Sequence, residues 1–169
     1  PEEPDQSNKN PVSPTTQGPR VFRPESIDAL RPLFPGLELI SLLGYGGMGA
    51  VYKARKKKLD RLVALKIIRG DAAADPAFAE QFNREARTLA RLSHPGIVAI
   101  HDFGETTSSS TDSIAPPMFY FVMEFVDGTN LRKLMNGNEL PPEQAYAIVP
   151  QVCDALQYAR HRDVVPTVA

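Results

Sequence analysis

The sequence predicts an α+β fold, a five-stranded antiparallel sheet with one packed helix, followed by the first helices of an incomplete helical region. Two observations carry that expectation. Five short strand-like runs occur at Leu37–Leu43, Ala50–Arg55, Leu62–Ile68, Ile97–Phe103 and Met118–Val126. Between the third and fourth, a longer segment repeats its apolar residues at helical spacing instead. A glycine cluster joins the first two runs and Lys56–Arg61 joins the next two, which reads as an antiparallel meander.

Taken in order, residues 1–23 form a Pro/Ser-rich segment with Val12 as the only large apolar side chain of the first twenty, and read as a disordered tail. Residues 24–36 carry Ile27, Leu30, Leu33 and Phe34 at helical spacing after Pro24, a short lead-in helix that packs on the domain after it. The long helix opens with Asp75 as N-cap and Pro76 at its first position, and closes before Pro95. Its stripe is Phe78, Phe82, Glu85, Leu89 and Leu92. Thr106–Pro117 is Ser/Thr-rich and reads as a mobile insertion. After Asp127-Gly128 the pattern turns helical. Leu131 and Leu134 belong to one short helix, and Ala145, Ile148, Val149, Val152, Leu156 and Ala159 lie on one face of a longer one starting near Pro142. Pro150 falls inside that helix, where proline costs about 3 kcal/mol, so a bend or a broken start is expected.

Composition narrows the partners. Lys and Arg number 19 against 20 Asp and Glu, a formal charge of −1, so no electrostatic pull toward nucleic acid or an anionic membrane is expected. The single cysteine, Cys153, has no partner for an intramolecular disulfide, and a reducing, cytoplasmic setting fits best. No stretch reaches the roughly 18 apolar residues of a membrane span. Because the chain opens at Pro1, a membrane tether in a longer parent stays open. The basic run Arg55–Lys58 fits a solvated hairpin tip.

Three features point to chemistry. Gly44-Tyr45-Gly46-Gly47-Met48-Gly49 is a G-x-G-x-x-G cluster, whose backbone can approach phosphates closely and present N–H donors to them. A glycine-rich hairpin turn reads the same way. The β-type run Ala50–Ala54 that comes next argues against a dinucleotide fold, which needs a helix there. In the third strand Lys66 shares a face with Leu62, Ala64 and Ile68, so its ammonium must snorkel to water or meet an anion. Glu85 stands in the helix stripe, where a carboxylate is out of place. A Lys66–Glu85 ion pair resolves both anomalies; alternatively Glu85 lies at the stripe's edge and reaches water.

These residues resemble the bacterial-type Ser/Thr protein kinase family over about residues 37 to 165. Leu43-Gly44-x-Gly46-x-x-Gly49-x-Val51 is similar to its Gly-rich loop, Val63-Ala64-Leu65-Lys66 to the strand bearing the nucleotide lysine, and Glu85 to that lysine's partner. His94-Pro95-Gly96-Ile97-Val98 and Val122–Gly128 resemble further family segments. The resemblance implies a kinase N-lobe at 37–126, with the hinge and the start of a truncated C-lobe at 127–169. It implies ATP as ligand, with Mg reached through the nucleotide, and a protein Ser/Thr substrate in a full-length parent. Leu43, Tyr45, Gly47, Met48, Val51 and Ala64 would then surround the nucleotide, Met123 would be the gatekeeper, the backbone of Glu124 and Val126 would meet the adenine edge, and Asn130 would lie near the ribose.

The family also needs a His-Arg-Asp loop, an Asn soon after it and a later Asp-Phe-Gly to hold Mg²⁺. An ungapped alignment puts His161-Arg162-Asp163 at the end of the last helix and Pro166-Thr167-Val168 at the catalytic positions. The other alignment takes His161-Arg162-Asp163 as the loop itself, shifted early. In either, no metal-binding Asn or Asp-Phe-Gly follows before Ala169, so catalysis by this chain alone is not expected. A natural truncation, a frameshift and a chosen end point all give this pattern. Two functional classes stay open: the ATP-binding portion of a kinase, and a non-catalytic kinase-like interaction module or relic. Ile148, Val152 and Leu156 would lose the cover of the larger lobe, which predicts self-association or low stability.

Overall fold

A computed structural model of the chain describes residues 23–68, 76–106, 118–137 and 140–162. The expected tail apart from Arg23, the Asp75 cap, all of the 106–117 insertion except Thr106, and residues 163–169 lie outside them. The strands are β1 (Leu37–Gly46), β2 (Gly49–Lys56), β3 (Arg61–Ile68), β4 (Ile100–Thr106) and β5 (Met118–Glu124). They form one antiparallel sheet in the order β1-β2-β3-β5-β4. The fourth strand starts three residues later than the sequence suggests, because Ile97 N–H donates to His94 O at 3.0 Å and closes a turn first. β5 stops at Glu124 rather than Val126.

Alternation gives the sheet two faces with different covers. Val63, Leu65 and Ile67 of β3 point to one face with Leu39, Tyr52 and Val122, and all are buried. Residues 25–36 lie across that face. Helix α1 (Ile27–Leu30) is capped by Ser26, whose Oγ accepts from Ala29 N–H at 3.2 Å, and a 3₁₀ turn (Arg31–Leu33) with Pro32 in its first residues follows. Leu30 is 0% and Phe34 6% exposed; the Phe34 ring meets Tyr120 edge-on at 5.0 Å.

Helix α2 (Pro76–Leu89) covers the other face. Phe82 and Ala86 are buried against Phe119, with Phe78, Phe103 and Phe121 around them. Phe82 lies 4.8 Å from Phe119 and 4.9 Å from Phe121, centroid to centroid.

Helices α3 (Leu131–Asn136) and α4 (Pro142–Arg160) complete the described chain. Of the expected bend or broken start at Pro150 the break does not occur: α4 runs through Pro150 as one helix. Proline removes the donor that Tyr146 O would receive and crowds that turn. The Gln151 side chain donates to Ala147 O at 3.1 Å, adding a hydrogen bond beside the lost one. The loop after α2 holds α4 in place: Ser93 N–H donates to Tyr158 Oη at 3.2 Å and His94 Nε2 meets Asp154 Oδ2 at 3.1 Å. His94 Nδ1 accepts from Gly96 N–H at 3.0 Å, which assigns the ring proton to Nε2. A Cβ on Gly96 would stand 3.2 Å from Ala155 Cβ, so glycine lets the loop sit on the helix. Along the flank of α4 beside this contact, Val149, Val152 and Leu156 are exposed, Leu156 at 56%, while Ile148 is half-buried.

Candidate functional site

The glycine cluster forms the hairpin between β1 and β2, and it leads into a strand. Its glycines differ in purpose. Gly49 has φ +128°, and a Cβ there would stand 2.0 Å from Ile67 O. The fold therefore demands glycine at Gly49. At Gly44, Gly46 and Gly47 an added Cβ meets no protein atom within 4 Å. Packing does not require glycine at those three positions, which leaves backbone open to an approaching ligand.

Cross-strand register assembles the rest. One row across the sheet reads Gly44, Val51, Lys66, Phe121, Phe103; the next reads Ser41, Lys53, Ala64, Met123, Ile100. Phe121 and Ile68 pack with the α2 cluster, so Val51, Ala64, Lys66 and Met123 share the α2 face of the sheet. Ala64 is 6% exposed; Val51, Lys66 and Met123 are half-buried. Leu43, Tyr45 and Met48 are exposed beside them. The arrangement is an apolar floor next to one cation, under a hairpin with bare glycine backbone.

The expected Lys66–Glu85 ion pair is not formed, although both residues belong to the same side of the sheet. Among the described residues the ion pairs are Asp28–Arg31, Glu38–Arg55 and Asp60–Arg55, His94 meets Asp154 through its ring N–H, and none of these involves Lys66 or Glu85. Glu85 is exposed and accepts from Gln81 Nε2 at 2.8 Å. The reason is helical phase. The buried positions of α2 advance as Phe82 and Ala86, so Glu85 falls on the flank of the stripe, the alternative that the spacing left open.

The segment after β5 is partly committed to the fold. Glu124 N–H donates to Ala99 O at 2.8 Å, and Glu124 Oε2 accepts from Ala99 N–H at 3.4 Å, so its backbone N–H is already committed. Val126 is 63% exposed. Asn130 is the N-cap of α3: its Oδ1 accepts from Lys133 N–H at 2.9 Å.

Sequence reasoning passed over several residues. Lys53 follows Val51 by two on the same face, and its Nζ lies 4.5 Å from the Phe125 ring centroid, joining the returning hairpin strand to the segment after β5; the period of two was the signal. Asp102-Phe103-Gly104 spells a metal-binding tripeptide, but it lies in edge strand β4. Phe103 joins the aromatic cluster, and Asp102 Oδ1 accepts from Phe103 N–H at 3.0 Å. His101 Nε2 is buried without a hydrogen-bond partner; burial, then the Arg61 charge, lowers its pKa, with Glu124 opposing. His161 and Arg162 end α4: His161 Nδ1 donates to Gln157 O at 2.7 Å and Arg162 stacks over Tyr158. No cluster of three His, Cys, Asp or Glu suited to a metal occurs among the described residues, and none of their helices is long and apolar enough to cross a membrane.

Comparison with known proteins agrees with this geometry. Residues 37–166 match the family described as protein kinase domain. The chain is 45% identical over 135 residues to serine/threonine-protein kinase PknB of Mycobacterium leprae, covering 76% of this chain and 21% of that protein. It is 40% identical over 141 residues to serine/threonine-protein kinase PknF of Mycobacterium tuberculosis, covering 79% and 28%. A crystal structure of the Mycobacterium tuberculosis PknI kinase domain superposes with a TM-score of 0.61 at 34% identity, covering 75% of this chain and 48% of that one. The chain thus spans about a fifth to a quarter of the length of these curated relatives.

Proposed function

From the premise that this chain belongs to the protein kinase domain family, and is PknB-like within it, we propose that it forms the ATP-binding portion of a protein Ser/Thr kinase. The observation that carries the reading is the contrast among the glycines. Gly49 is required by the fold, whereas at Gly44, Gly46 and Gly47 the space a side chain would fill is open. Bound Mg-ATP supplies the transferable phosphoryl group. The residues present fit such a ligand: Val51, Ala64 and Met123 offer an apolar surface to the purine, with Leu43 beside them. In this reading the Glu124 carbonyl and the Val126 backbone meet its edge. Glycine N–H groups of the 44–49 hairpin face the phosphates, and Lys66, which has no ion-pair partner among the described residues, contributes charge to them.

Phosphoryl transfer also needs an aspartate toward the substrate hydroxyl and side chains for Mg²⁺. None of the described residues forms such a group, so the proposed role of this chain by itself is binding rather than turnover. The exposed Val149, Val152 and Leu156 face of α4 favours a second reading, a kinase-like module that binds a protein partner there.

Titration of ATP with and without Mg²⁺ tests the first reading. Binding in the micromolar to millimolar range is expected, and Lys66→Met should weaken it about tenfold, roughly 1.4 kcal/mol. No ion pair among the described residues is lost with Lys66, so the unfolding midpoint of the variant should stay put. Absence of binding at millimolar nucleotide would leave only the interaction module.

A further inference from the structure

The family match begins at residue 37, yet Leu30 and Phe34 of the preceding segment are buried as deeply as the sheet's own core. The two buried residues of this strap join a core that four strands share. Leu30 and Phe34 share one cluster with Leu37 and Leu39 of β1, Tyr52 and Ala54 of β2, Val63 and Leu65 of β3, and Val122 of β5, with Ile27, Leu33 and Tyr120 packed against it. Its two ends are tied. At the start, Tyr52 Oη donates to Glu25 O at 2.7 Å. At the exit, Lys57 Nζ donates to Pro35 O and Lys57 N–H to Gly36 O, both at 3.1 Å.

We infer that the strap positions the nucleotide hairpin, acting through Tyr52. The row Leu42, Tyr52, Leu65, Val122 lies under the strap and neighbours the row Gly44, Val51, Lys66, Phe121, which faces the site. Tyr52 adjoins Val51 and Leu65 adjoins Lys66 along their strands, so whatever fixes the first pair from one side of the sheet fixes the second on the other. The hairpin needs that support. β1 is an edge strand, and its pairing with β2 slips at Leu39/Ser41 and again at Leu42/Gly44, so its ladder is irregular just before the glycines. Tyr52 is the largest fully buried side chain among the described residues, and its hydroxyl finds its partner in the strap, outside the family domain.

The inference rests on the nucleotide reading for its affinity arm only. Tyr52→Phe keeps the ring and deletes the hydroxyl. In the full chain it should speed amide exchange across Gly44–Val51 without changing exchange in α4, and weaken ATP binding about three- to fivefold. A chain lacking residues 1–36 should bind ATP more weakly still, and a peptide of residues 24–36 added in trans should restore the affinity. If exchange across Gly44–Val51 is unchanged in Tyr52→Phe, the inference is wrong whatever the nucleotide does. If the full chain binds no ATP, the nucleotide reading fails and exchange alone decides. Should the shortened chain not fold, exchange in Tyr52→Phe still settles the question.

Discussion

Replacing Gly49 by alanine puts a methyl group where the backbone leaves no room. The residue has φ +128°, and its Cβ would stand 2.0 Å from Ile67 O, 3.0 Å from Ile67 C and 3.2 Å from Ile68 Cα. All three are backbone atoms of β3, so no side-chain rotation relieves the clash. Relief requires shifting the β2–β3 ladder at the point where Gly49 pairs with Ile68 and Ala50 with Ile67. The backbone conformation alone costs about 1–3 kcal/mol. Overpacking adds about 1–3 kcal/mol, so a loss of about 2–6 kcal/mol is expected against a whole-domain stability of about 5–15 kcal/mol. Urea unfolding followed by circular dichroism measures it, as a lower midpoint at nearly constant slope. Gly46→Ala is the control, since nothing lies within 4 Å of its added Cβ. It should change stability by no more than about 1 kcal/mol while weakening ATP binding. A Gly49→Ala variant losing less than about 1 kcal/mol, or a Gly46→Ala variant losing as much as Gly49→Ala, would refute the division of the glycines between fold and ligand.

Other outcomes arise from the same geometry. Phe82→Ala removes the ring that contacts Phe78, Phe103, Phe119 and Phe121, and should cost about 3–5 kcal/mol in chemical unfolding. His101 has its folded pKa held below the ordinary 6.5, so between 6.5 and that lowered value the unfolded chain binds the extra proton. Stability should therefore fall as pH drops from about 6.5 through the folded value, and His101→Leu should flatten that decline in denaturant midpoints. Glu85→Gln should change ATP affinity less than twofold, because Glu85 bonds Gln81 rather than Lys66; a loss approaching tenfold by calorimetry would show that the carboxylate reaches Lys66 once nucleotide is bound.

The strands were legible because period-two alternation and burial coincide: Val63, Leu65 and Ile67 sit on a buried face, and Lys66 stands on the other with Ala64, as the spacing implies. The lead-in helix was legible through helical spacing instead, and two of the residues that carry that spacing, Leu30 and Phe34, are its most buried. Glu85 was harder. A 4-3-4-3 apolar spacing defines a stripe about a third of the helix wide, and a residue within it can lie at the centre or the rim. The tie came from outside the pattern: Ala86, too small to register as a core anchor by eye, is fully buried and turns the helix so that its neighbour Glu85 faces water. Pro150 deceived for another reason. Its helix-breaking tendency is local, and a 19-residue helix anchored through Asp154 and Tyr158 retains enough other bonds to carry one defect.

The sheet's two faces also explain why a family domain of this kind can begin abruptly at residue 37 in sequence while the physical domain does not. One face carries the candidate site: bare glycines, a half-buried cation, a small alanine beside it. The other face needs apolar cover, and any segment able to present a few apolar side chains can supply it. Leu30 and Phe34 do so here from a helix of one turn and the residues just after it. Because cover of that sort is set by volume and not by geometry at a reacting centre, it can change freely in sequence yet still transmit force, through Tyr52 and Leu65, to the row that holds Val51 and Lys66.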